Sequence, residues 1–179
     1  MAAKKTMSLL ICNFITTKGK SLTKDYALNI DTSCSDTAYF TAIDELMDIA
    51  TSILIIEGDI QLSPDVVRVL IPSLKHNIVA LPYYLYPSTT HLDGPRIAHR
   101  KVIEFQKKYD WIDYEEKVAD LYGFGATYIP SKIWREVYPY GTTPLHWYDL
   151  DTKTSEATYK LGYKARVDWR FGVIPHLHS

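Results

Sequence analysis

Apolar and polar positions follow two different periods along this chain, and the order of the two predicts its elements. Met7 to Cys12 is a compact apolar run with strand character, closed by a polar loop around Thr16 to Lys20. Tyr26 to Ile30 reads as a second short strand running into Asp31. Ser35 and Asp36 then open a helix whose Tyr39, Ile43, Leu46, Met47 and Ala50 recur at three- and four-residue spacing. Ser52 to Ile56 is almost wholly apolar and rich in isoleucine, as expected of a strand covered on both faces, and it stops at Glu57-Gly58-Asp59. Ser63-Pro64-Asp65 predicts a helix start: a hydroxyl cap, a proline in the first turn and an acid at the positive end of the dipole. That helix is expected to reach about Leu74, with a further strand over Ile78 to Leu81.

Strand, helix, strand, helix, strand is the rhythm of an α/β protein with a mostly parallel sheet flanked by helices. Beyond it, Tyr83 to Pro95 reads as loop, Ala98 to Tyr109 as a helix, and Asp110 to Glu116 has no clear period. Gly123 to Ile129 predicts a strand and Pro130-Ser131 a short helix through Val137, while Pro139, Gly141 and Pro144 make Tyr138 to Leu150 mostly loop. Asp151 is expected to cap a helix with Ala157, Thr158 and Leu161 on one face and Gly162 just past its end. Tyr163 to Asp168 and Gly172 to Ile174 read as closing strands.

Composition narrows the class. The chain has 179 residues, which is one domain, 1–179, by size. Its 20 basic and 21 acidic residues leave a net charge of -1, so no basic excess exists to bind nucleic acid. No apolar stretch is long enough for a transmembrane helix, and Lys4 and Lys5 before Met7 to Ile15 imitate a signal peptide without its cleavage site. Cys12 and Cys34 lack the spacing of a zinc or thiol site and are expected to be reduced, which suits the cytoplasm. No Walker loop, nucleophile elbow or glycine fingerprint occurs.

Three clusters remain where chemistry could sit. Glu57 and Asp59 flank a glycine at the end of the most buried strand, where α/β sheets bind ligands and where paired carboxylates suit Mg²⁺ or Mn²⁺. Acid-x-acid triplets also occur at Asp113/Glu115 and Asp149/Asp151, so a solvated turn explains such a pair equally well in isolation. Asp151, following a Pro/Gly loop with His146, Trp147 and Tyr148, could serve as a general base or simply as a helix cap. His176 and His178 alternate at the C-terminus, so either could complete a metal shell, and both could equally be solvated.

In combination these blocks resemble a glycosyltransferase of the GT-A fold, closest in pattern to family 2. Ser52 to Asp65 resembles that family's strand, its "DxD" signature and the helix behind it, and Ile78 to Pro82 its next strand. Gly123 to Ser131 resembles the glycine-containing strand and turn that face the sugars, and Asp151 to Gly162-Tyr163, closing at Pro175-His176, its acid-headed helix and terminal strand. Glu57 stands for the family's first aspartate, Leu150 for its usual glutamate, and the N-terminal half is trimmed, as a small viral genome would favour.

The resemblance implies transfer of a sugar from a nucleotide-diphosphate donor, such as a UDP- or GDP-sugar, to a glycan or glycoprotein hydroxyl, with inversion. It implies Asp59 on the metal, Glu57 on the metal or the ribose, and His176 or His178 as a further ligand. Asp151 would be the general base, Asp31 a base or ribose contact, and Trp147, Tyr148 and Gly125 would face the sugars. Two other readings predict a different behaviour: a nucleotide-sugar-binding module that never turns over, and a nucleotidyltransferase, for which Lys18, Gly19 and Lys20 are a faint echo of the expected loop. A structural protein would bind no metal at all. The cytoplasm, a host's for a viral chain, is the expected compartment.

Overall fold

A computed structural model describes residues 7–16, 22–34, 37–75, 77–83, 117–119, 122–141, 150–163 and 165–177. They form seven strands and four α-helices: β1 (Leu10–Ile15), β2 (Leu28–Asp31), α1 (Ala38–Met47), β3 (Ser52–Glu57), α2 (Pro64–Leu70), β4 (Ile78–Ala80), β5 (Lys117–Ala119), β6 (Ala126–Pro130), α3 (Ser131–Gly141), α4 (Leu150–Lys160) and β7 (Ala165–Val167). The strands build one sheet in the order β2-β1-β3-β6-β4-β7-β5.

β3 organises this sheet because its apolar run serves both faces. Ile53 and Ile55 point into a core with Tyr39, Phe40, Ile43 and Met47 of α1, Ile133, Trp134 and Val137 of α3, and Ala157 of α4. Leu54 and Ile56 point the opposite way, against Val67 and Leu70 of α2 and against Ile60, Tyr83 and Ile174. All four are fully buried, each contributing about 1.5–3 kcal/mol of apolar burial. Helices therefore cover the sheet on both sides, as the sequence predicts of an α/β chain.

The expected parallel sheet is only half realised. β1–β2, β1–β3 and β4–β7 are parallel, but β6 lies antiparallel between β3 and β4, and β5 antiparallel on β7. A short buried run carries no mark of strand direction, which explains the difference. Five strands still point the same way, so the carboxyl ends of β1, β2, β3, β4 and β7 share one edge with the entry to β6.

Several boundaries move. β1 begins at Leu10, three residues later than Met7, which instead makes an isolated bridge to Ala50. Ser63 caps α2 as expected, accepting from the Val66 amide at 3.3 Å, but the α-helix ends at Leu70 and continues only as a 3₁₀ turn, Ile71–Ser73. α3 runs on to Gly141, past Pro139. α4 starts at Leu150, so Asp151 lies in the first turn of the helix and does not precede it. Gly162 ends α4 at φ +82°, the left-handed conformation expected, whereas Leu161 is exposed and off the buried face. Gly172 to Ile174 forms no strand: Ile174 makes a single bridge to Tyr83. β5 has no counterpart in the sequence reading, and the helix expected over Ala98 to Tyr109 lies outside the described residues. No helix among the described residues is long and apolar enough to cross a membrane. Cys12 is buried, its thiol pushed up to about 12 by burial, Cys34 is exposed, and they form no disulfide.

Trp134 is fully buried among Phe40, Phe124 and Tyr138, and its indole N–H donates to Asp44 Oδ1 at 3.0 Å. Trp134→Ala should cost about 3–5 kcal/mol in urea unfolding, and a loss below 1 kcal/mol would contradict its place in the core.

Candidate active site

The turn that ends β3 is held from every side by backbone. The Glu57 amide donates to Gly125 O (2.9 Å), the Gly58 amide to Phe14 O (2.8 Å) and the Ile60 amide to Glu57 O (3.0 Å). From the C-terminal segment, the Leu177 amide donates to Asp59 O at 2.7 Å, and Ile60 and His176 form an isolated antiparallel bridge. That bridge sets the His176 imidazole against Asp59, with Nε2 3.0 Å from Oδ2. The other Asp59 oxygen, Oδ1, is buried and has no hydrogen-bond partner among the described residues.

Glu57 points into the protein. Its Oε1 accepts from the Tyr39 hydroxyl at 3.3 Å, and burial, reinforced by the Asp151 and Asp59 charges, pushes its carboxyl up to about 8. His176 and the Tyr39 hydrogen bond pull the other way. Glu57, Asp59, Asp151 and His176 thus form one electrostatic cluster, although they come from β3, α4 and the C-terminal segment.

A stripe of hydroxyls docks α4 and so positions Asp151. Ser155 Oγ accepts from the Tyr122 amide at 2.8 Å, and Thr158 Oγ1 lies 2.8 Å from the Tyr122 hydroxyl while donating to Thr154 O. All three helix residues are buried. One turn earlier, Asp151 reaches over Gly123: a Cβ built on that glycine would lie 3.2 Å from Asp151 Oδ2 and 2.0 Å from the Tyr83 hydroxyl oxygen. A Cβ on Gly125 would lie 2.6–2.8 Å from atoms of the Tyr83 ring. Both positions need glycine because Tyr83 lies directly on them. Tyr83 is itself buried, pairs with Ile174, and packs edge-on to the His176 ring at 6.3 Å. Burial, then the Glu57 and Asp151 charges, holds its hydroxyl well above the usual tyrosine range.

Lys24 is the site residue with no motif around it. Its ammonium is almost fully buried and donates to Asn13 Oδ1 (2.6 Å), Glu57 O (3.3 Å) and Gly58 O (3.4 Å). Burial lowers it to about 8, against the opposing pull of Asp59. One lysine among many in a polar loop gives no sequence mark of burial. A signal did exist in Asn13, a polar residue inside an apolar strand.

The residues proposed from the sequence are distributed as follows. Glu57, Asp59, Asp151 and His176 converge at the shared sheet edge. Gly125 also lies there, beneath Tyr83. Asp31 ends the edge strand β2, two strands from β3 and so about 10 Å across the sheet. Its Oδ1 accepts from the Ser33 amide (3.0 Å) and hydroxyl (2.6 Å). Trp147, Tyr148 and His178 lie outside the described residues.

Asp59 and His176 are the two donors here whose chemistry suits a divalent cation. Among the described residues Asp59 Oδ1 is a buried carboxylate oxygen with no hydrogen-bond partner and an imidazole adjoins it, while Glu57 is turned onto the Tyr39 hydroxyl. Among the described residues no group of three or more His, Cys, Asp or Glu closes into a ready cage, so a cation held here would take further oxygens from its ligand.

No protein-family model matches the chain, and no curated protein matches it. Among solved structures it is similar to A197 from STIV, with a TM-score of 0.57 and 12% identity over 95% of this chain and 86% of that one. At that identity the likeness is one of fold.

Two outcomes follow from this geometry. Gly125→Ala should destabilise the protein by about 1–3 kcal/mol through the Tyr83 clash, and by much less in a Tyr83→Ala background; an equal cost in both would contradict the packing. For Glu57, the folded carboxyl holds its proton from its ordinary value of 4.5 up to about 8, where the unfolded chain has released it. Its linked stability is therefore full below pH 4.5 and is lost as pH rises through 8. Metal-free unfolding across that window should show a downward slope that Glu57→Gln reduces, and identical slopes would refute the assignment.

Proposed function

We propose that the chain is a metal-dependent glycosyltransferase of the GT-A type, acting on a nucleotide-diphosphate sugar. The observation that carries this reading is Asp59: its Oδ1 is buried with no partner among the described residues, beside His176, at an edge where Glu57 and Asp151 also converge. The resemblance of these residues to the "DxD" signature, the catalytic aspartate and the strand-end histidine supports it from the sequence side.

In this reading Asp59 and His176 hold Mn²⁺ or Mg²⁺, with Glu57 beside them and His178 as the alternative imidazole. When bound, the metal supplies positive charge to the diphosphate leaving group. The chain's own residues do the rest. Asp151, carried in the first turn of α4 over Gly123, takes the proton of the acceptor hydroxyl as that oxygen bonds to the anomeric carbon. The bond from that carbon to the diphosphate oxygen breaks with its electron pair, and configuration inverts. Asp31, at the far end of the same edge, suits the ribose or base, and Trp147 and Tyr148 suit the acceptor glycan. Free thiols at Cys12 and Cys34 suit the cytoplasm.

Tyr83 favours a second reading. Its ring fills the space over Gly125 where the sugar is expected, which suits a nucleotide-sugar-binding module without turnover. Titration of UDP and GDP with and without Mn²⁺, followed by a donor-hydrolysis and transfer assay, separates the two. Under the transferase reading one nucleotide binds only with metal, Asp59→Asn abolishes that binding, and Asp151→Asn keeps it while slowing transfer roughly 10²–10⁴-fold. Binding without turnover under any donor selects the module, and no nucleotide binding at all overturns both.

A further inference from the structure

Lys24 is joined to the proposed site by a connected hydrogen-bond network. Asn13 Oδ1 accepts from its ammonium, and the Asn13 amide donates to Leu22 O (2.8 Å) and Asn29 Oδ1 (2.7 Å). Asn29 in turn clamps the Lys24 backbone in both directions, accepting from its amide (2.9 Å) and donating to its carbonyl (3.1 Å). The Leu22 amide donates to Gly58 O at 2.9 Å, so the loop between β1 and β2 is fastened onto the turn that bears Asp59.

An ammonium has three protons, and the oxygens facing it are Asn13 Oδ1, Glu57 O and Gly58 O, at 2.6, 3.3 and 3.4 Å. Turned onto these oxygens and almost wholly buried, the ammonium is not placed as an anion clamp. Nor is stability a sufficient reason for it, since burying an ammonium costs more than an apolar side chain of similar size would. What the geometry does fix is direction. The Glu57 and Gly58 carbonyls belong to the two successive peptide planes that lead to the Asp59 Cα, and both are turned onto one cation. The orientation of those planes sets where the Asp59 carboxylate points.

We propose that Lys24 is the positioning residue of this site: it locks the Glu57-Gly58-Asp59 turn so that Asp59 presents its carboxylate to a divalent cation. The cation part of this statement rests on the function proposed above. The positioning part does not, because His176 reports the Asp59 carboxylate with no metal present.

Lys24→Ala removes three carbons and a nitrogen, the atoms of n-propylammonium. Lys24 is among the residues that line a groove of about 270 Å³ between residues 22–24 and 60–63. The test measures Mn²⁺ affinity by calorimetry and the metal-free His176 ring shifts by NMR, on the full chain, with Asp59→Asn as the reference for a lost contact. We expect Lys24→Ala to weaken Mn²⁺ binding roughly 10–100-fold and to move the His176 shifts toward those of Asp59→Asn. Propylammonium should restore both and 1-propanol neither. Wild-type affinity and wild-type shifts in Lys24→Ala would overturn the proposal, as would equal rescue by 1-propanol. If the wild type takes up no Mn²⁺, the metal reading fails while the His176 shifts still decide the positioning role. Lys24→Met, which keeps the stem, replaces the alanine variant if that does not fold, and failure of both to fold even with propylammonium would reduce Lys24 to a fold residue and overturn the proposal.

Discussion

Three carboxylates meet at one edge of this sheet, and the burial of Glu57 among the Asp151 and Asp59 charges is the constraint that the surroundings answer. Each acid is accommodated differently. Glu57, the most enclosed, keeps its proton to about pH 8 and takes a hydrogen bond from Tyr39. Asp59 has His176 on one oxygen and the buried Lys24 charge nearby. Asp151 sits in the first turn of α4, where the unpaired amides of the helix favour a negative charge. Among the described residues Asp59 Oδ1 has no hydrogen-bond partner, and under the proposed function a cation would complete it.

The reversed strand makes this crowding possible. Because β6 runs against β3 and β4, it enters the sheet where they leave it, so Gly123 and Gly125 lie beside Glu57 and under Tyr83. The same segment carries Tyr122, on which the hydroxyl stripe of α4 docks. One change of direction therefore sets both the floor of the site and the helix that bears Asp151. An all-parallel arrangement would put the start of that strand at the opposite edge, away from the acids.

Much of this was legible in the residues. Ser52 to Glu57 announced a doubly covered strand through its unbroken apolar run, and the abrupt change at Glu57-Gly58-Asp59 marked the edge where a ligand would sit. Asp151 and His176 were legible as candidates through their order and spacing, and the structure brings them to the same edge. The direction of β6 was not legible, because alternation and apolarity do not encode polarity of the chain. Tyr83 over the glycines was not legible either, since a contact between segments forty residues apart leaves no local pattern. The burial of Lys24 was not legible. Its clue was in Asn13, whose place inside an apolar strand demands a buried polar partner, but nothing local says which residue answers.

The central claim is that Asp59 Oδ1 is the seat of a divalent cation carrying a nucleoside diphosphate. The most direct measurement is an anomalous difference map from crystals grown with Mn²⁺ and a nucleoside diphosphate. One strong peak is expected at coordination distance from Asp59, with His176 or Glu57 in the shell and diphosphate oxygens completing it. A map with no peak at this edge, or with Mn²⁺ bound elsewhere and the Asp59–His176 pair undisturbed, would contradict it.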